Sequence, residues 1–412
     1  MTRSTPWFLL VIGLAGVFLA RESGRPGPLA GIDRAFFDWL TVNAGLPPES
    51  SAGIHSTVTL VEIDDSIADT PGRLPLAPLE YASFLQAVGK YDPAVVAIEP
   101  VLEWSKLPSG TAEILANQAL ILPKLLLAVQ LGSNPESQRD PASLPAVGGV
   151  SGNPAALADF PEIVAAPGGR LLSLVAASGA INLPGLAGAP VRDLPLLFRS
   201  RDRVLPSFAL QTLILWLRLA PSEVSVKLGA HVQLGDALRL PVNRQGRALL
   251  DARLFPRVNR LNLDDLGLLA TKQAEPETAA AAERMRGGIV ILGRTDHAAR
   301  TLQMVGGRQV SPAEVFAWSA VSLARAPSTR RAGAWWDTAI ILGWMLVGWR
   351  LLRTHGNWAV LIIAGGLAVY ALAALACFAM QRLWLPCSLP VGLGLIVAFL
   401  LWITPHGETV KS

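Results

Sequence analysis

Charge and cysteine are what this sequence has little of. Of its 412 residues only 16% are charged, against about 25% in an ordinary soluble chain. That shortage excludes a disordered protein, which needs abundant solvating side chains, and it excludes a wholly soluble one. Cysteine occurs twice, as Cys377 and Cys387, both in an apolar region near the C-terminus. A disulfide scaffold and a cysteine-spaced zinc site are therefore excluded. There is no dense basic run either. The net charge of +4 and the pI near 9.3 come from arginines scattered along the chain, so nucleic acid is not an expected partner. Gly-x-Ser-x-Gly, His-Glu-x-x-His and a phosphate-cradling glycine loop ending in Lys-Ser or Lys-Thr are all missing. Neither an enzyme nor a cofactor is expected on these grounds.

What is present is apolar length, with 51% hydrophobic residues and a mean hydropathy of +0.41. Three C-terminal stretches, Trp335 to Leu352, Trp358 to Met380 and Trp384 to Ile403, are nearly uncharged. Each approaches or exceeds the ~18–20 residues needed to cross a bilayer core. Trp335, Trp336, Trp358, Trp384 and Trp402 stand at their ends, where an aromatic belt sits. Trp7 to Ala20 is shorter and reads as a signal segment. Cleavage after Ala20 would put Phe18 where a small residue is preferred, so an uncleaved signal anchor is the favoured reading over a signal peptide.

Four spans result, with both termini on one side. Arg3, Arg350, Arg353 and Lys411 gather on that side and only Arg382 in the short loop opposite. The positive-inside rule then puts the large domain outside the cytoplasm. The expected organisation is 1–27 signal anchor or signal peptide, 28–328 extracytoplasmic domain, 329–403 three transmembrane helices, and 404–412 a short cytoplasmic tail. The expected location is the inner (plasma) membrane, with the domain periplasmic.

Within the domain, the β-branched run VTLVEI at 58–63 reads as a strand, Leu79 to Tyr91 as a helix and Ala94 to Ile98 as a second strand. This is a βαβ unit, whose strands are parallel and buried. Thr111 to Leu122 reads as helix and Lys124 to Gln130 as strand. Leu131 to Gly169, rich in Pro, Gly, Ser and Ala, reads as loop, and Leu171 to Ile181 suits either strand or helix. Ser207 to Leu219 reads as a helix with Pro206 at its start, and Val224 to Leu240 as a hairpin region turning at Gly229 and Gly235. A helix at Glu277 to Met285, a buried strand at Ile289 to Leu292 and a helix at Val310 to Arg325 complete it. The alternation predicts an α/β fold with a mostly parallel sheet, joined to α-helical transmembrane segments.

The segment VEIDDSIADTPGRLPLAPLEYASFLQAVGKYDPAVVAIEPVL, at 61–102, resembles the opening of the CHASE type 2 extracellular sensory domain. VRDLPLLFRSRDRVLPSFALQTL at 191–213 and GGIVILGRTDHAARTLQMV at 287–305 are similar to that family as well. The resemblance covers about 30–325 and the three following spans, and implies a membrane sensor. Two departures stand out. The family's Gly-Arg-Trp-Pro-Trp-Pro-like turn is here Gly72-Arg73-Leu74-Pro75-Leu76-Ala77-Pro78. The family's usual cyclase, kinase or other output domain has no counterpart in the nine residues after Ile403. A separate signalling or envelope partner is therefore expected.

Ligands of an open parallel sheet bind beyond the carboxyl ends of its strands. Here those ends carry Asp64-Asp65, Glu99 and Thr295-Asp296-His297. If the strands are neighbours, Asp64, Asp65, Glu99, Asp296 and His297 converge and suit a hard cation such as magnesium or calcium, or a cationic ligand. The plainer role of acids at strand ends is to cap the turns and helices that follow. His297 beside Asp296 suggests acid–base chemistry, although a lone exposed loop histidine explains it too. His55, His231, His355 and His406 are mutually distant. Arg192, Arg199, Arg201 and Arg203, interleaved with Asp193 and Asp202, suit either an anionic ligand or local ion pairs. RLNLDD at 260–265 reads as a turn and helix start without special chemistry. Asp337 is the one acid within a span and lies near its end. Ala364, Gly365, Gly366, Ala368 and Ala374 permit close helix packing or a homodimer.

Three functions fit: a membrane sensor for an unknown small-molecule or protein ligand, an envelope scaffold that binds protein, and a membrane-bound hydrolase or transferase.

Overall fold

The computed structural model describes residues 5–22, 28–46, 58–103, 109–122, 124–132, 144–183, 189–270, 275–325, 328–353 and 359–403. The chain forms two compact units, residues 49–328 and residues 1–48 with 329–412. The helices, in chain order, are α1 (Thr5–Glu22), α2 (Pro28–Asn43), α3 (Asp65–Ala68), α4 (Pro78–Gly89), α5 (Ser109–Ile121), α6 (Gly169–Leu174) and α7 (Phe208–Trp216). They continue as α8 (Leu263–Ala270), α9 (Pro276–Glu283), α10 (Pro312–Ala324), α11 (Ala334–Arg353), α12 (Ala359–Gln381) and α13 (Ser388–Ile403). The strands begin with β1 (Val58–Ile63), β2 (Val95–Ile98), β3 (Leu125–Gly132), β4 (Val150–Ser151), β5 (Glu162–Ala165), β6 (Ala177–Ala180), β7 (Asp193–Pro195), β8 (Leu197–Ser200) and β9 (Arg203–Pro206). Next come β10 (Val224–Lys227), β11 (His231–Leu234), β12 (Leu238–Pro241), β13 (Arg247–Leu249), β14 (Asn259–Asn262), β15 (Ile289–Arg294), β16 (Leu302–Gln303), β17 (Gln309–Val310), β18 (Arg330–Arg331) and β19 (Leu383–Trp384).

The larger unit is built on a sheet of order β14-β1-β15-β2-β3, with β6 also on β3, all pairs parallel. Strand β5 adds antiparallel to the end of β3. The runs VTLVEI, VVAI, LLLAVQLG and IVILGR are almost unbroken aliphatic sequence, as strands covered on both faces require. Alternate side chains then go to opposite layers. Leu60, Ala97, Leu126 and Ile291 pack with Phe208 and Leu213 of α7, Phe316 and Trp318 of α10, and the β10–β12 meander. Val61, Ile63, Val96, Ile98, Leu127 and Leu292 pack with Phe84, Leu85 and Val88 of α4, Leu115 of α5, Leu266 of α8 and Ala282 of α9.

The βαβ reading holds with one modification. Strands β1 and β2 are parallel members of one sheet but are not neighbours, because β15 lies between them, pairing Val58 with Ile289 and Val95 with Ile289. Helix α4 starts at Pro78, where the Glu80 carboxylate accepts the Ala77 N–H at 2.7 Å. The stretch expected as loop at 131–169 contains β4, a 3-10 turn at 154–156, and β5. Its small residues do not prevent pairing, because β3 and β10 supply exposed strand edges for it. The ambiguous 171–181 segment is both things in turn: the end of α6 and then β6. Pro206 ends β9 and does not open the next helix; Ser207 is the cap, its Oγ accepting the Leu210 N–H. RLNLDD is the end of edge strand β14 and the first turn of α8, and it is chemically engaged. Arg260 pairs with Glu62 at 2.6 Å and with Glu314 at 2.5 Å, and Asp264 holds Arg73.

In the other unit, α12 is the described helix long and apolar enough to cross a membrane, and α1 and α13 contain shorter apolar helices. Phe8 and Ile12 of α1, Ile341 and Trp344 of α11, and Leu389, Leu393 and Val397 of α13 share one core. Close approach depends on glycines other than those expected. A Cβ on Gly16 would lie 2.8 Å from Ile341 and one on Gly348 2.9 Å from Ile12, whereas Gly365 and Gly366 have nothing within 4 Å. Helix α2 belongs to this unit, whose first segment runs to residue 48. Its buried Asp33 accepts the Ser388 N–H and hydroxyl at 2.7 and 2.8 Å, capping α13. Strand β18 pairs with β19, which lies between α12 and α13.

Two close contacts fix the layers on the sheet. A Cβ at Gly293 would stand 2.2 Å from the Ala313 Cβ, and one at Gly179 would stand 2.6 Å from the Phe208 Cα. Gly293→Ala and Gly179→Ala should each destabilise the larger unit by about 1–3 kcal/mol. Gly267→Ala, in open space on α8, should stabilise it by about 0.5–1 kcal/mol. Thermal unfolding of the full chain in detergent checks the order of the three midpoints.

Candidate functional site

The carboxyl ends of β1, β15 and β2 lie side by side, and the chain leaves them toward opposite layers. After β1 and β2 it goes to α4 and α5 on one face, and after β15 to α10 on the other. Neighbouring strands whose continuations diverge in this way leave a crevice at their ends. Here it is a cavity of about 600 Å³. Leu74, Pro75 and Leu76 from the turn after α3, with Leu102 after β2, give it an apolar wall, and Tyr81, Glu99, Arg294 and Arg300 supply polar groups.

Each wall is held by its own local interactions. The turn at 72–78 is tied to α8 and α4 through Arg73, which reaches Asp264 with two guanidinium nitrogens and Glu80 at 3.4 Å. Gly72 takes a φ of +77°, in the left-handed region that favours glycine. The two leucines that stand where the resembling family has tryptophans, Leu74 and Leu76, are both part of the cavity wall. Glu99 follows the last residue of β2, with its backbone N–H bonded to the Leu292 carbonyl at 2.9 Å, so the sheet itself aims it into the crevice.

The acids expected at this edge are brought near one another but have different partners. Asp64 caps α3, accepting from the Ser66 N–H at 3.0 Å and hydroxyl at 2.6 Å, and accepts from the Asn262 amide at 2.5 Å. Asp65 accepts the His297 N–H at 2.7 Å and lies 2.7 Å from its Nδ1. This clasp lowers the Asp65 pKa, chiefly through the backbone hydrogen bond, and raises that of His297, chiefly through the side-chain one. Both side chains are exposed. Asp296 is buried and gripped by Arg294 at 2.8 and 2.7 Å, which holds its carboxyl below the usual range. Only Glu99 of the five lines the cavity. Burial pushes its pKa up to about 7, against the opposing pull of the Arg294 N–H and the Arg294 charge.

Asp64, Asp65 and Asp296 are thus each turned to their own hydrogen-bond donors. Among the described residues no group of three or more His, Cys, Asp or Glu is placed to hold a metal. Tyr81 and Arg294 were not anticipated from sequence. Tyr81 comes from the helix layer, and burial beside Glu99 raises its phenol pKa. The arginine-rich stretch finds partners far along the chain: Arg199 pairs with Asp159 at 2.6 Å, Asp193 with Arg247 at 3.0 Å, and Arg203 donates to the Leu144 carbonyl.

The chain belongs to the CHASE2 domain family, whose model matches residues 9–350. That range contains the whole crevice as well as α1 and α2. The family is one of sensory domains. No curated protein and no solved structure gives a match.

The raised pKa of Glu99 gives the crevice a pH signature. The folded domain keeps this proton to about pH 7, whereas the unfolded chain releases it near 4.5. The folded state binds more protons between those values, so Glu99 lowers stability as pH rises from 4.5 to 7 and has a constant effect above. Glu99→Gln should remove this slope. The unfolding free energy of the variant should gain on that of the wild type by about 1–3 kcal/mol across the window, read from thermal unfolding of the full chain at a series of pH values.

Proposed function

We propose that this CHASE2-family chain is a multi-pass sensor of the inner (plasma) membrane. In this reading α1, α11, α12 and α13 cross the bilayer and residues 49–328 stand on the extracytoplasmic side. The crevice at the ends of β1, β15 and β2 takes the ligand, and its occupation is relayed across the membrane to a partner protein. The observation that carries the reading is the crevice itself: an apolar wall with a few inward polar groups, at the sheet position where α/β domains bind ligands.

The membrane part of the reading is supported by the helix unit. The shorter helices α1 and α13 pack with α11 in a common core, which suits a bundle embedded together and an α1 retained as an anchor. The residues just before and just after the domain both meet the segment joining α12 to α13, through Asp33 with Ser388 and β18 with β19. Four alternating spans put that joining segment on the domain's side. The basic residues Arg350 and Arg353 then fall at the opposite end, as the positive-inside rule asks.

The near-absence of cysteine makes orientation measurable. With Cys377 and Cys387 changed to Ala, Glu277→Cys at the exposed start of α9 should react with a membrane-impermeant maleimide in intact cells stripped of their outer layer. Labelling only after the membrane is opened would reverse the orientation. For the crevice, Ala298→Trp places a large side chain at an exposed lining position. A polar metabolite that raises the melting temperature of the purified full chain should lose its effect in this variant, while the variant alone melts close to the wild type.

A further inference from the structure

Helix α2 has two apolar faces, and the described residues cover one of them. Asp33, Phe37, Leu40, Thr41 and Ala44 are buried. Phe37 stacks edge-on against Phe378 at 5.6 Å and Trp384 at 5.2 Å, and Asp33 caps α13. These partners lie at the C-terminal end of α12, in the segment that follows it, and at the first residue of α13. Helix α2 thus meets the ends of those helices, not their length. A second stripe runs beside the buried one at helical spacing: Ile32, Phe36, Trp39 and, past the last turn, Leu46. Phe36 and Trp39 stack at 5.5 Å. Ile32 is 46% exposed, Trp39 41% and Leu46 61%, and apolar side chains exposed together on one helix face mark a contact surface. Asn43 interrupts the stripe before Leu46, and the remaining side carries Arg34, exposed, Asp38 and the exposed Val42.

We propose that this second stripe is a lipid-binding surface, and that α2 lies in the plane of the membrane at the boundary between headgroups and acyl chains. The occupant is identified by place. Through Phe37 and Phe378, α2 is held at the C-terminal end of α12, the helix long and apolar enough to cross a membrane. A helix fixed there lies at the level where a spanning α12 leaves the bilayer. A helix with a large apolar side, an aromatic pair and a charged side is the form that settles at such a boundary, where tryptophan is favoured. The buried Asp33 sets the depth, since its two hydrogen bonds fix α2 to the start of α13.

The proposal rests on α12 spanning the bilayer, and the test separates the two. The full chain with Cys377→Ala and Cys387→Ala is placed in bilayers of phosphatidylethanolamine and phosphatidylglycerol. Spin labels go singly at Ile32→Cys, Trp39→Cys, Leu46→Cys, Arg34→Cys and, on α12, Leu372→Cys. Collision with oxygen, which concentrates in lipid, is compared with collision with a water-soluble nickel chelate. We expect the oxygen-to-nickel ratio at 32, 39 and 46 to exceed that at 34 severalfold and to approach that at 372. A low ratio at 32, 39 and 46 with a high one at 372 overturns the lipid surface and leaves the spanning helix standing. Labels shielded from both probes at 32 and 39 also overturn it, since protein then covers the stripe. A low ratio at 372 removes the membrane premise itself. Leu46, beyond the helix and outside its packing, gives the reading if a helical substitution prevents assembly.

Discussion

The domain depends on β15 entering the gap between β1 and β2. Those two strands come from one continuous βαβ segment but share no hydrogen bonds; each completes its ladder against Ile289–Arg294. Until that late segment arrives, both strands have an unpaired edge, and unpaired backbone in an apolar interior is costly. The pairing joins regions far apart in sequence, so closing it carries a large loop entropy. The reward is correspondingly concentrated: Ile289, Val290, Ile291 and Leu292 are all buried, and they join the two cores on either face. The same strand delivers Arg294 to the crevice and, through Gly293, lets α10 rest against the sheet.

The acids of this edge differ in behaviour because they differ in partner and burial, not in position along a strand. Arg294 is closest in effect to Glu99, yet its guanidinium is turned onto Asp296. Glu99 is left with a backbone donor and a partly neutralised cation, and desolvation prevails. Asp65 stands in water with a histidine clasp, and there hydrogen bonding prevails. One edge therefore holds a carboxyl near its midpoint at neutral pH and another fixed as a carboxylate.

The strands were the most legible part of this sequence, because a strand buried on both faces must be an unbroken apolar run, and VTLVEI and IVILGR are such runs. NRLN at 259–262 was missed because an edge strand is half polar and short, and β5 because its segment is rich in loop-forming residues. Glu99 was legible as a strand-end acid; its isolation in the cavity was not, since that depends on Arg294 choosing Asp296. Arg73 with Asp264 and Arg260 with Glu62 join residues that only the fold brings together. Helix α2 was not read from the sequence, which only began the domain at residue 28. Its buried and exposed apolar stripes differ only in what lies opposite them, which no single helix encodes.

The short segment from Leu383 to Ser388 receives the chain on both sides of the domain. Ahead of the domain, Asp33 and Phe37 fasten to Ser388 and Trp384; behind it, Arg330 and Arg331 pair with Leu383 and Trp384. Two tethers tied to one knot move together or strain it. Residues 44 and 329, where the chain leaves for the domain and returns from it, are thus both held close to the same short segment between α12 and α13. A change at either one meets the other there, through hydrogen bonds and ring contacts and not through the chain itself.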